Sequence, residues 1–420
     1  MRWPRWLRNR RAEAVRRVVI TGAGTINPLG HSVAETFAAM AAGHVAIGPL
    51  AGLVDLDRLA IRIGAQVKGF DPAAHFQPTE MSMLDRFAQF AVVAAGQAVA
   101  QAGLALSEAE GLRAGAVLGT GGGGYTTIDD AYRAVYPGGR NRVHPFTIPR
   151  LMHNAAVGHL ARRHGLKGPV LTVSTACASS NHALGLAAQM IRSGAAEVML
   201  AGGAEATLCF GGIKAWEGLR VLSPDGCRPF CSSRNGMVQG EGAAVFVLED
   251  HDRAMARGAP ILAELAGFAM TSDAADMVVP DPDGAARAMR GALDDAGLGP
   301  EAVGYINAHG TATRLNDRAE SAAIRAVFGD APPPVSATKA MHGHLIGAAG
   351  AVELLACLMA LGQGGDAAGV LAPTMGLRQQ DPEAPPDLVA GAARAARVTA
   401  TLSNAFAFGG TNACVVLRRV

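Results

Sequence analysis

Short apolar runs alternate with amphipathic stretches along almost the whole chain. Residues 16–24 form an apolar run that ends in a glycine turn, and residues 32–43 then read as a helix that begins at a serine cap. The same pattern predicts further strands and helices at residues 82–104, 114–124, 169–194, 196–206 and 243–249. A similar series follows at residues 285–297, 303–311, 319–329, 351–362, 398–406 and 412–420. Strands that alternate with helices predict an α/β fold.

Two comparable series suggest an internal duplication with a break between residues 250 and 265. We therefore expect a basic tail at residues 1–16, an N-terminal half at 17–260 and a C-terminal half at 261–420. Half of the residues are hydrophobic, which allows a large core and excludes a disordered chain. The 53 glycines show no three-residue period, so a collagen-like structure is excluded as well.

The net charge of +2 is unevenly distributed. Residues 1–17 carry +6, which leaves −4 for residues 18–420. Trp3, Trp6 and Leu7 among the arginines could touch an anionic membrane, but we favour a tail that the chemistry does not need. No apolar stretch follows the tail and no run of 18 apolar residues occurs, so we expect neither a signal peptide nor an integral membrane segment.

Cysteine usage predicts a reducing, cytoplasmic location. The 420 residues contain six cysteines and no Cys-x-x-Cys pair, which does not fit a disulfide framework. We also expect no nucleic-acid partner. The glycine loops at 22–30 and 119–124 lack the spacing or the lysine of a nucleotide-binding loop.

Cys177 is the first candidate for chemistry. It stands between an apolar strand and a helix, where a sharp turn presents the sulfur and the helix dipole favours the thiolate. A small buried cysteine beside a helix cap is the structural alternative.

Two histidines and a lysine complete the candidate set. His309 follows a predicted strand, His344 opens a Gly/Ala-rich helix, and Lys339 precedes His344 by five residues. A lone histidine in such a place is usually structural. A cysteine with two histidine donors and a lysine instead suits acyl transfer followed by stabilisation of an enolate. A Cys-His protease needs only one base and fits less well.

Five motifs in this order and spacing resemble the β-ketoacyl-acyl carrier protein synthases, the ketosynthases of thiolase fold. The motifs are TACASS (175–180), PFCSSRNGMVQGEGA (229–243), NAHGT (307–311), TKAMHGHLIGAAG (338–350) and NAFAFGGTN (404–412). The resemblance covers residues 17–420. It implies two duplicated α/β/α halves with five-stranded mixed sheets in a five-layer arrangement. It also implies a homodimer, or a heterodimer with a similar subunit.

The resemblance implies a role for each matching residue. Cys177 would accept the acyl group, and His309 and His344 would serve decarboxylation of malonyl-acyl carrier protein. Lys339 would hold the histidine network together with Glu320, and Asp317 would be a second supporting carboxylate. The oxyanion hole would be formed by the backbone N–H groups of Cys177 and Phe408. No cofactor or metal is implied, because the substrates arrive on the phosphopantetheine arm of acyl carrier protein.

Departures from the family pattern bear on the substrate. Ala407 replaces the first glycine of the usual Gly-Phe-Gly-Gly gate, so gate motion is expected to differ. Met341 and His342 stand where small or hydroxyl residues are frequent. Residues 209–230 look most like nodulation-type ketosynthases, which indicates a specialised chain builder.

The resemblance also suggests an acyl pocket and a docking face. Gly122 stands where some relatives carry a bulky aliphatic residue, so we expect a void for a longer chain unless a neighbour such as Trp216 fills it. Arg140, Arg142 and Arg220 match positions that dock the acidic carrier protein.

Two alternative functions remain at this point. A coenzyme A thiolase would need a second catalytic cysteine, and Cys414 lies past the C-terminal glycine loop in an apolar strand. A cavity-shaping chain-length partner would normally lack the nucleophile, whereas Cys177, His309 and His344 are all present.

Overall fold

A computed structural model describes residues 16–362 and 368–420, so the predicted tail at 1–16 lies outside the described residues apart from Arg16. The strands in the described ranges are β1 (Val18–Ile26), β2 (Gly48–Pro49), β3 (Ile63–Gly64), β4 (Ala114–Gly119), β5 (Val170–Val173), β6 (Val198–Glu205), β7 (Gly242–Asp250), β8 (Ala263–Ser272), β9 (Tyr305–Asn307), β10 (Val335–Ser336), β11 (Gly369–Leu371), β12 (Arg394–Ala396), β13 (Ala400–Ala407) and β14 (Thr411–Arg418).

The helices are α1 (Val33–Ala41), α2 (Pro78–Met81), α3 (Arg86–Gln101), α4 (Glu108–Gly111), α5 (Tyr125–Val135), α6 (Thr147–Leu151), α7 (Ala155–His164), α8 (Ser179–Arg192), α9 (Phe210–Gly218), α10 (His251–Ala256), α11 (Pro282–Ala296), α12 (Arg314–Phe328), α13 (Lys339–His342) and α14 (Ala349–Leu361). Helix α3 is shorter than the predicted 82–104, because the Asp85 side chain caps it by accepting from Phe87 N. Among the described residues, no helix is long and apolar enough to cross a membrane.

The strand order shows the predicted duplication directly. The N-terminal half has the order β5-β4-β6-β7-β1, and the C-terminal half has the order β10-β9-β13-β14-β8. Counted within each half, both sheets follow the order 3-2-4-5-1, with two parallel pairs followed by two antiparallel pairs. Two antiparallel residue pairs between β1 and β8, Val19–Glu264 and Ile20–Ala263, join the halves into one ten-stranded sheet.

The helices form the three remaining layers of a five-layer α/β thiolase-like fold. Helices α3 and α7 cover one sheet, and α11 and α12 lie on the outside of the other half. Between the sheets lie α8 and α14, which contact each other, and every residue of α14 is buried. Since these two helices are enclosed by sheet on both sides, their N-terminal ends lie at the centre of the molecule.

Both central helices begin in the same way. A 3₁₀ turn over Ala176–Ala178 precedes α8, and a 3₁₀ turn over Ile346–Ala348 precedes α14. Ala176 and Ile346 both have positive φ, at 47° and 46°, which is rare for residues other than glycine. The duplication therefore sets two strained turns at the same level, one in each half.

Candidate active site

The turn before α8 fixes Cys177 at the floor of a cavity. The Ser179 hydroxyl accepts from Thr175 N at 2.9 Å and donates to Ala176 O at 2.7 Å, which ties the two sides of the turn together. The Cys177 side chain is 5% exposed and lines the cavity. The position agrees with the sequence prediction of a thiol between a strand and a helix.

His344 lies against the sulfur, with its Nε2 atom 3.0 Å from Cys177 Sγ. The backbone N–H of Ile346 donates to His344 Nδ1 at 3.2 Å. Because Nδ1 accepts this bond, a neutral His344 carries its proton on Nε2. The strained turn before α14 thus orients a hydrogen-bond donor toward Cys177.

Lys339 fixes the tautomer of His309 in the same way. Its ammonium group contacts three groups, namely His309 O at 2.6 Å, His309 Nδ1 at 3.2 Å, and the Glu353 carboxylate. Lysine has only donors, so His309 Nδ1 must accept, and the proton of the neutral ring is again on Nε2. The two histidine rings are perpendicular, at 83°, with their centroids 5.4 Å apart. The site therefore presents two Nε2–H donors beside one thiol.

Burial sets the charge of these groups. It holds the pKa of both His309 and His344 well below the ordinary 6.5, and the positive charge of Lys339 lowers both further. The expectation that Cys177 is a stabilised thiolate needs correction for the free protein. Burial raises the pKa of Cys177 to about 12, although Lys339 and the backbone N–H groups of Phe408 and Cys177 act in the opposite direction.

The same three side chains have the composition of a metal site. Their ligand atoms in Cys177, His309 and His344 all lie within 4.8 Å of one another. A metal would need a free lone pair on the Nε2 atom of each histidine, however. Since each Nδ1 accepts a bond, from Ile346 N in His344 and from Lys339 Nζ in His309, each Nε2 atom carries the proton instead. The donor geometry suits hydrogen bonding to a substrate oxygen better than metal coordination.

The carboxylate that pairs with Lys339 is Glu353, which the sequence analysis does not single out. Both side chains are fully buried. Glu353 is the only charged residue of α14, and an acid within an apolar helix is the signal that could have identified it. This corrects the expectation that Lys339 works with Glu320.

Glu320 and Asp317 instead accept hydrogen bonds from backbone N–H groups. Glu320 accepts from His309 N and Gly310 N, both at 2.8 Å, and from Asn404 Nδ2 at 3.1 Å. Asp317 accepts from Phe230 N and Ala312 N. Both carboxylates are buried, and together they fix the loop that carries His309.

Glu205 is a second carboxylate that the sequence analysis missed. It ends the apolar strand β6 and accepts from Gly121 N at 2.7 Å, Gly347 N at 2.9 Å and Gly122 N at 3.1 Å. It therefore joins the glycine loop after β4 to the turn before α14, across the two halves. Burial raises the pKa of Glu205 to about 7.

The void expected beside Gly122 is absent. A Cβ atom at this position would lie 2.6 Å from Tyr125 and 3.0 Å from Thr207, so these two side chains already occupy the space. Trp216 lies elsewhere, stacked on the Phe408 ring at a centroid distance of 6.0 Å. The prediction that Gly122 opens an acyl pocket, with Trp216 as the residue that would refill it, is therefore corrected.

The catalytic cavity opens beside Phe408. Cys177, His309, His344, Trp216 and Arg220 all line it. Its mouth carries exposed apolar side chains from the loop at Met277–Val279. Ala407, which replaces a glycine of the usual gate, is not among the described residues with positive φ, whereas Gly409 and Gly410 are. Alanine therefore fits this position without backbone strain.

Arg140 and Arg142 do not belong to this cavity. They are exposed and line a separate depression together with Asp130, His144 and Arg150. Of the three predicted docking arginines, only Arg220 lies at the mouth of the catalytic cavity.

The stability of the folded protein is expected to depend on pH through Glu320. Burial raises its pKa to about 7 from the usual 4.5, so the native state holds more protons than the unfolded chain between these values. Stability should therefore fall as pH rises from about 4.5 to 7, by about 3 kcal/mol from this group alone. The pKa values of the buried histidines are shifted in the sense that makes stability rise with pH. We therefore measure the contribution of Glu320 as a difference, by comparing the free energies of unfolding of wild type and Glu320→Gln in denaturant at pH 5 and pH 8. Equal pH slopes for both proteins would contradict it.

Two family models match the chain. They are the N-terminal domain of β-ketoacyl synthases over residues 15–254 and the C-terminal domain over residues 262–378. Nodulation protein E of Rhizobium leguminosarum bv. trifolii is 46% identical over 407 residues, which cover 96% of this chain and all of that protein. The 3-oxoacyl-[acyl-carrier-protein] synthase 2 of Synechocystis sp. (strain ATCC 27184 / PCC 6803 / Kazusa) is 39% identical, covering 96% of this chain and 98% of the relative.

Solved structures agree with these relatives. The ishigamide ketosynthase/chain length factor has a TM-score of 0.90 at 37% identity, covering 97% of this chain and 100% of that chain. A type II polyketide synthase ketosynthase, solved in complex with its acyl carrier protein and bound to the hexaketide, has a TM-score of 0.86 at 30% identity, covering 96% and 99%.

The chain belongs to the β-ketoacyl synthase family. It is an acyl-transferring condensing enzyme, the class of the 3-oxoacyl-[acyl carrier protein] synthases among its relatives. The predicted resemblance to nodulation-type ketosynthases is confirmed by the relatives named nodulation protein E.

Proposed function

We propose that Cys177 accepts an acyl group from acyl carrier protein and that His309 and His344 drive a decarboxylative condensation with malonyl-carrier protein. In the first step the sulfur bonds to the acyl carbon, and the thiol of the carrier leaves with the proton. In the second step malonyl loses CO₂, and the resulting enolate attacks the acyl carbon. The bond to Cys177 then breaks, its thiolate takes up a proton from water, and the acyl chain, now on the carrier that brought the malonyl group, is longer by two carbons.

One observation carries this proposal. Two neutral imidazoles present Nε2–H donors in the cavity beside a thiol, and both tautomers are set by bonds at Nδ1. An enolate oxygen needs donors that remain neutral, and burial keeps both histidines uncharged. The N–H groups of Cys177 and Phe408, which act to lower the pKa of the buried thiol, would receive the thioester oxygen.

The direct test uses malonyl-carrier protein with a panel of acyl-carrier proteins, read out as intact carrier mass. The expected result is a carrier product two carbons longer than the acyl donor. Decarboxylation without any elongation across the whole panel would count against the condensing role.

Degradative thiolysis is disfavoured by the position of Cys414. This residue is fully buried in β14, its thiol donates to Asn404 Oδ1 at 3.3 Å, and burial raises its pKa well above 9. It does not line the catalytic cavity and could not serve as a second catalytic thiol.

We further propose that substrates need no cofactor or metal and that the protein works in the reducing cytoplasm. The two Nε2–H donors fit an oxygen of a carrier-bound thioester better than a metal ion. All six cysteines are buried and unpaired, which supports a reducing compartment.

We also propose residues 17–260 and 261–420 as the two halves of the chain. Strand β7 ends before this boundary, and strand β8 begins after it.

Arg220 is the proposed contact for the acidic carrier protein. It is exposed at the mouth of the cavity, where carrier docking would bring the thioester to Cys177. We expect Arg220→Glu to raise KM for acyl-carrier protein by about tenfold while leaving turnover of a small acyl thioester unchanged. Arg325→Glu, an exposed arginine outside the cavity lining, is the matched control. A similar loss with both substrates would instead indicate damage to the site.

A second copy, or a similar subunit, is proposed to cover the edge at β5. Within the described residues this strand pairs only with β4, and Thr172 on it donates to His153 O, which links the edge to the connection between α6 and α7. Exposed apolar side chains lie on α5, on α6, on the loop between them and at the residue after α6, namely Tyr132, Tyr136, Phe146, Ile148 and Met152. An open strand edge and exposed apolar side chains are both typical of an interface.

Sedimentation measures this directly. We expect a species of twice the chain mass of 42.9 kDa, and we expect Ile148→Glu to convert it toward monomer. A wild-type protein that remains monomeric at micromolar concentration, alone and with a similar subunit, would contradict the proposal.

A further inference from the structure

Four hydrogen-bond donors converge on the buried carboxylate of Glu205. Its Oε2 atom accepts from Gly121 N at 2.7 Å and from Gly347 N at 2.9 Å. Its Oε1 atom accepts from Gly122 N at 3.1 Å and from the Thr120 hydroxyl at 3.3 Å. An ionised carboxylate only accepts, so each of its oxygens is matched by two donors. An amide of the same shape would set its own N–H groups against some of these donors, so the anion is the form that fits this place.

One of these bonds holds the turn that orients His344. Ile346 N donates to His344 Nδ1 at 3.2 Å, and the next N–H group along the chain, that of Gly347, donates to Glu205. Ile346 has a φ of 46°, a strained conformation that persists only where the surrounding structure holds it. The bond to Glu205 provides such a hold, one residue away from the N–H group that sets the tautomer of His344.

The other three bonds hold the loop that packs against the turn of Cys177. A Cβ atom on Gly119 would lie 2.4 Å from the backbone carbonyl carbon of Ser179, so this loop directly touches the first residue of α8. Ser179 is also the residue that ties the two sides of the Cys177 turn together. Glu205 fixes the loop through the Thr120 hydroxyl and the two N–H groups that follow it. One carboxylate therefore holds the support of the nucleophile as well as that of the histidine.

The charge of Glu205 acts against formation of the thiolate. Burial is the main reason that the pKa of Cys177 is raised to about 12, and the negative charge of Glu205 raises it further, against the opposing charge of Lys339. By its charge alone, Glu205 thus makes the sulfur a poorer nucleophile. Any benefit of this side chain to acyl transfer comes from the geometry that it maintains, and experiments can separate the two effects.

We propose that Glu205 is a positioning residue for acyl transfer, which holds Cys177 and His344 at hydrogen-bond distance across the two halves of the fold. The inference rests on the acyl-transfer function proposed for Cys177. The distance of 3.0 Å between Cys177 Sγ and His344 Nε2 joins a turn of the N-terminal half to a turn of the C-terminal half. This spacing depends on contacts that cross between the halves, and the bond from Gly347 N to Glu205 on β6 is one of them.

The variant Glu205→Gln tests this role, with loading of Cys177 from acyl-carrier protein followed as enzyme mass at pH 8. The wild-type carboxylate is ionised at this pH, since burial raises its pKa only to about 7. We expect the maximal loading rate to fall about tenfold or more, because a misplacement of about 1 Å can cost about 100-fold. The carrier concentration at half-maximal rate should not change, because Glu205 does not line the catalytic cavity.

Alkylation of Cys177 by iodoacetamide measures the thiol without any carrier. We expect Glu205→Gln to react faster than wild type at pH 8, because removal of the negative charge lowers the pKa of the thiol. The other five cysteines are buried, so a single adduct in the intact mass shows that the fold is preserved. Slower loading together with faster alkylation of Cys177 alone is the result expected of a positioning residue.

Glu249→Gln is the matched control. Glu249 is also a fully buried glutamate of the sheet, but it is hydrogen-bonded to Thr21, Arg253 and Arg257 and does not line the cavity. We expect this variant to unfold at lower urea concentration than wild type, with the maximal loading rate and the alkylation of Cys177 unchanged.

A maximal loading rate in Glu205→Gln equal to that of wild type would overturn the proposal, because the carboxylate would then only stabilise the fold. Equal losses of loading rate in Glu205→Gln and Glu249→Gln would overturn it as well, since general destabilisation would explain both. Both outcomes leave the acyl-transfer function intact. Absence of loading by wild type with every acyl donor would instead overturn the proposed function and, with it, this inference.

Discussion

Replacing Cys177 with alanine is expected to abolish acyl loading and to lower condensation by roughly 10⁴-fold or more. All six cysteines are described, and Cys177 is the one that lines the catalytic cavity, so no other thiol could replace it. The sulfur forms the bond that holds the acyl group during exchange of carriers, and alanine offers no substitute. Loading is measured as the mass increase of the enzyme after incubation with acyl-carrier protein.

Loss of malonyl decarboxylation need not accompany loss of loading. The Nε2–H donors of His309 and His344 are held by bonds at Nδ1 from Lys339 and from Ile346 N, not by Cys177, so they should persist in Cys177→Ala. We therefore expect CO₂ release from malonyl-carrier protein to continue without elongation. Cys209→Ala, a buried cysteine outside the cavity lining, serves as the control and should load acyl groups normally. Condensation by Cys177→Ala would refute the nucleophile assignment.

The duplicated fold could be predicted from the sequence because hydrophobic periodicity reports burial. The two series of apolar strands and amphipathic helices correspond to two sheets with the same strand order. Periodicity could not predict how the halves join. The two residue pairs between β1 and β8 involve side chains no different from those of other strands. The limits of α3 also depended on one cap, Asp85, inside a longer apolar pattern.

The candidate site was likewise predictable from the sequence only in part. Cys177, His309, His344 and Lys339 stand in distinctive local motifs, and the fold brings all four together. Glu353 and Glu205 contribute contacts from α14 and β6, and their role depends on which backbone or side chain lies opposite in the folded state. The Gly122 expectation failed for a related reason, since the size of a void is set by neighbours such as Tyr125 rather than by the glycine.

The largest effect on stability is expected from Lys339→Met. Lys339 and Glu353 are both fully buried, and the second oxygen of Glu353 already lacks a partner among the described residues. Removal of the ammonium group leaves a buried carboxylate without compensation, which typically costs about 3–5 kcal/mol. Burial already raises the pKa of Glu353 to about 7 against the opposing charge of Lys339. Removal of that charge raises the pKa of Glu353 further, so the loss of stability relative to wild type should grow as the pH rises above about 7.

The double variant Lys339→Met/Glu353→Leu separates stability from chemistry. With both charges removed, we expect the free energy of unfolding to recover most of the loss, because no uncompensated charge remains. The decarboxylation rate should stay low, since His309 Nδ1 has lost the donor that keeps its proton on Nε2. Unfolding in urea and CO₂ release by wild type, both single variants and the double variant complete the cycle. If the double variant recovered both the free energy of unfolding and the decarboxylation rate, Lys339 would be a structural partner of Glu353 alone. If it recovered the free energy of unfolding but not the decarboxylation rate, Lys339 would be identified as the residue that sets the tautomer of His309.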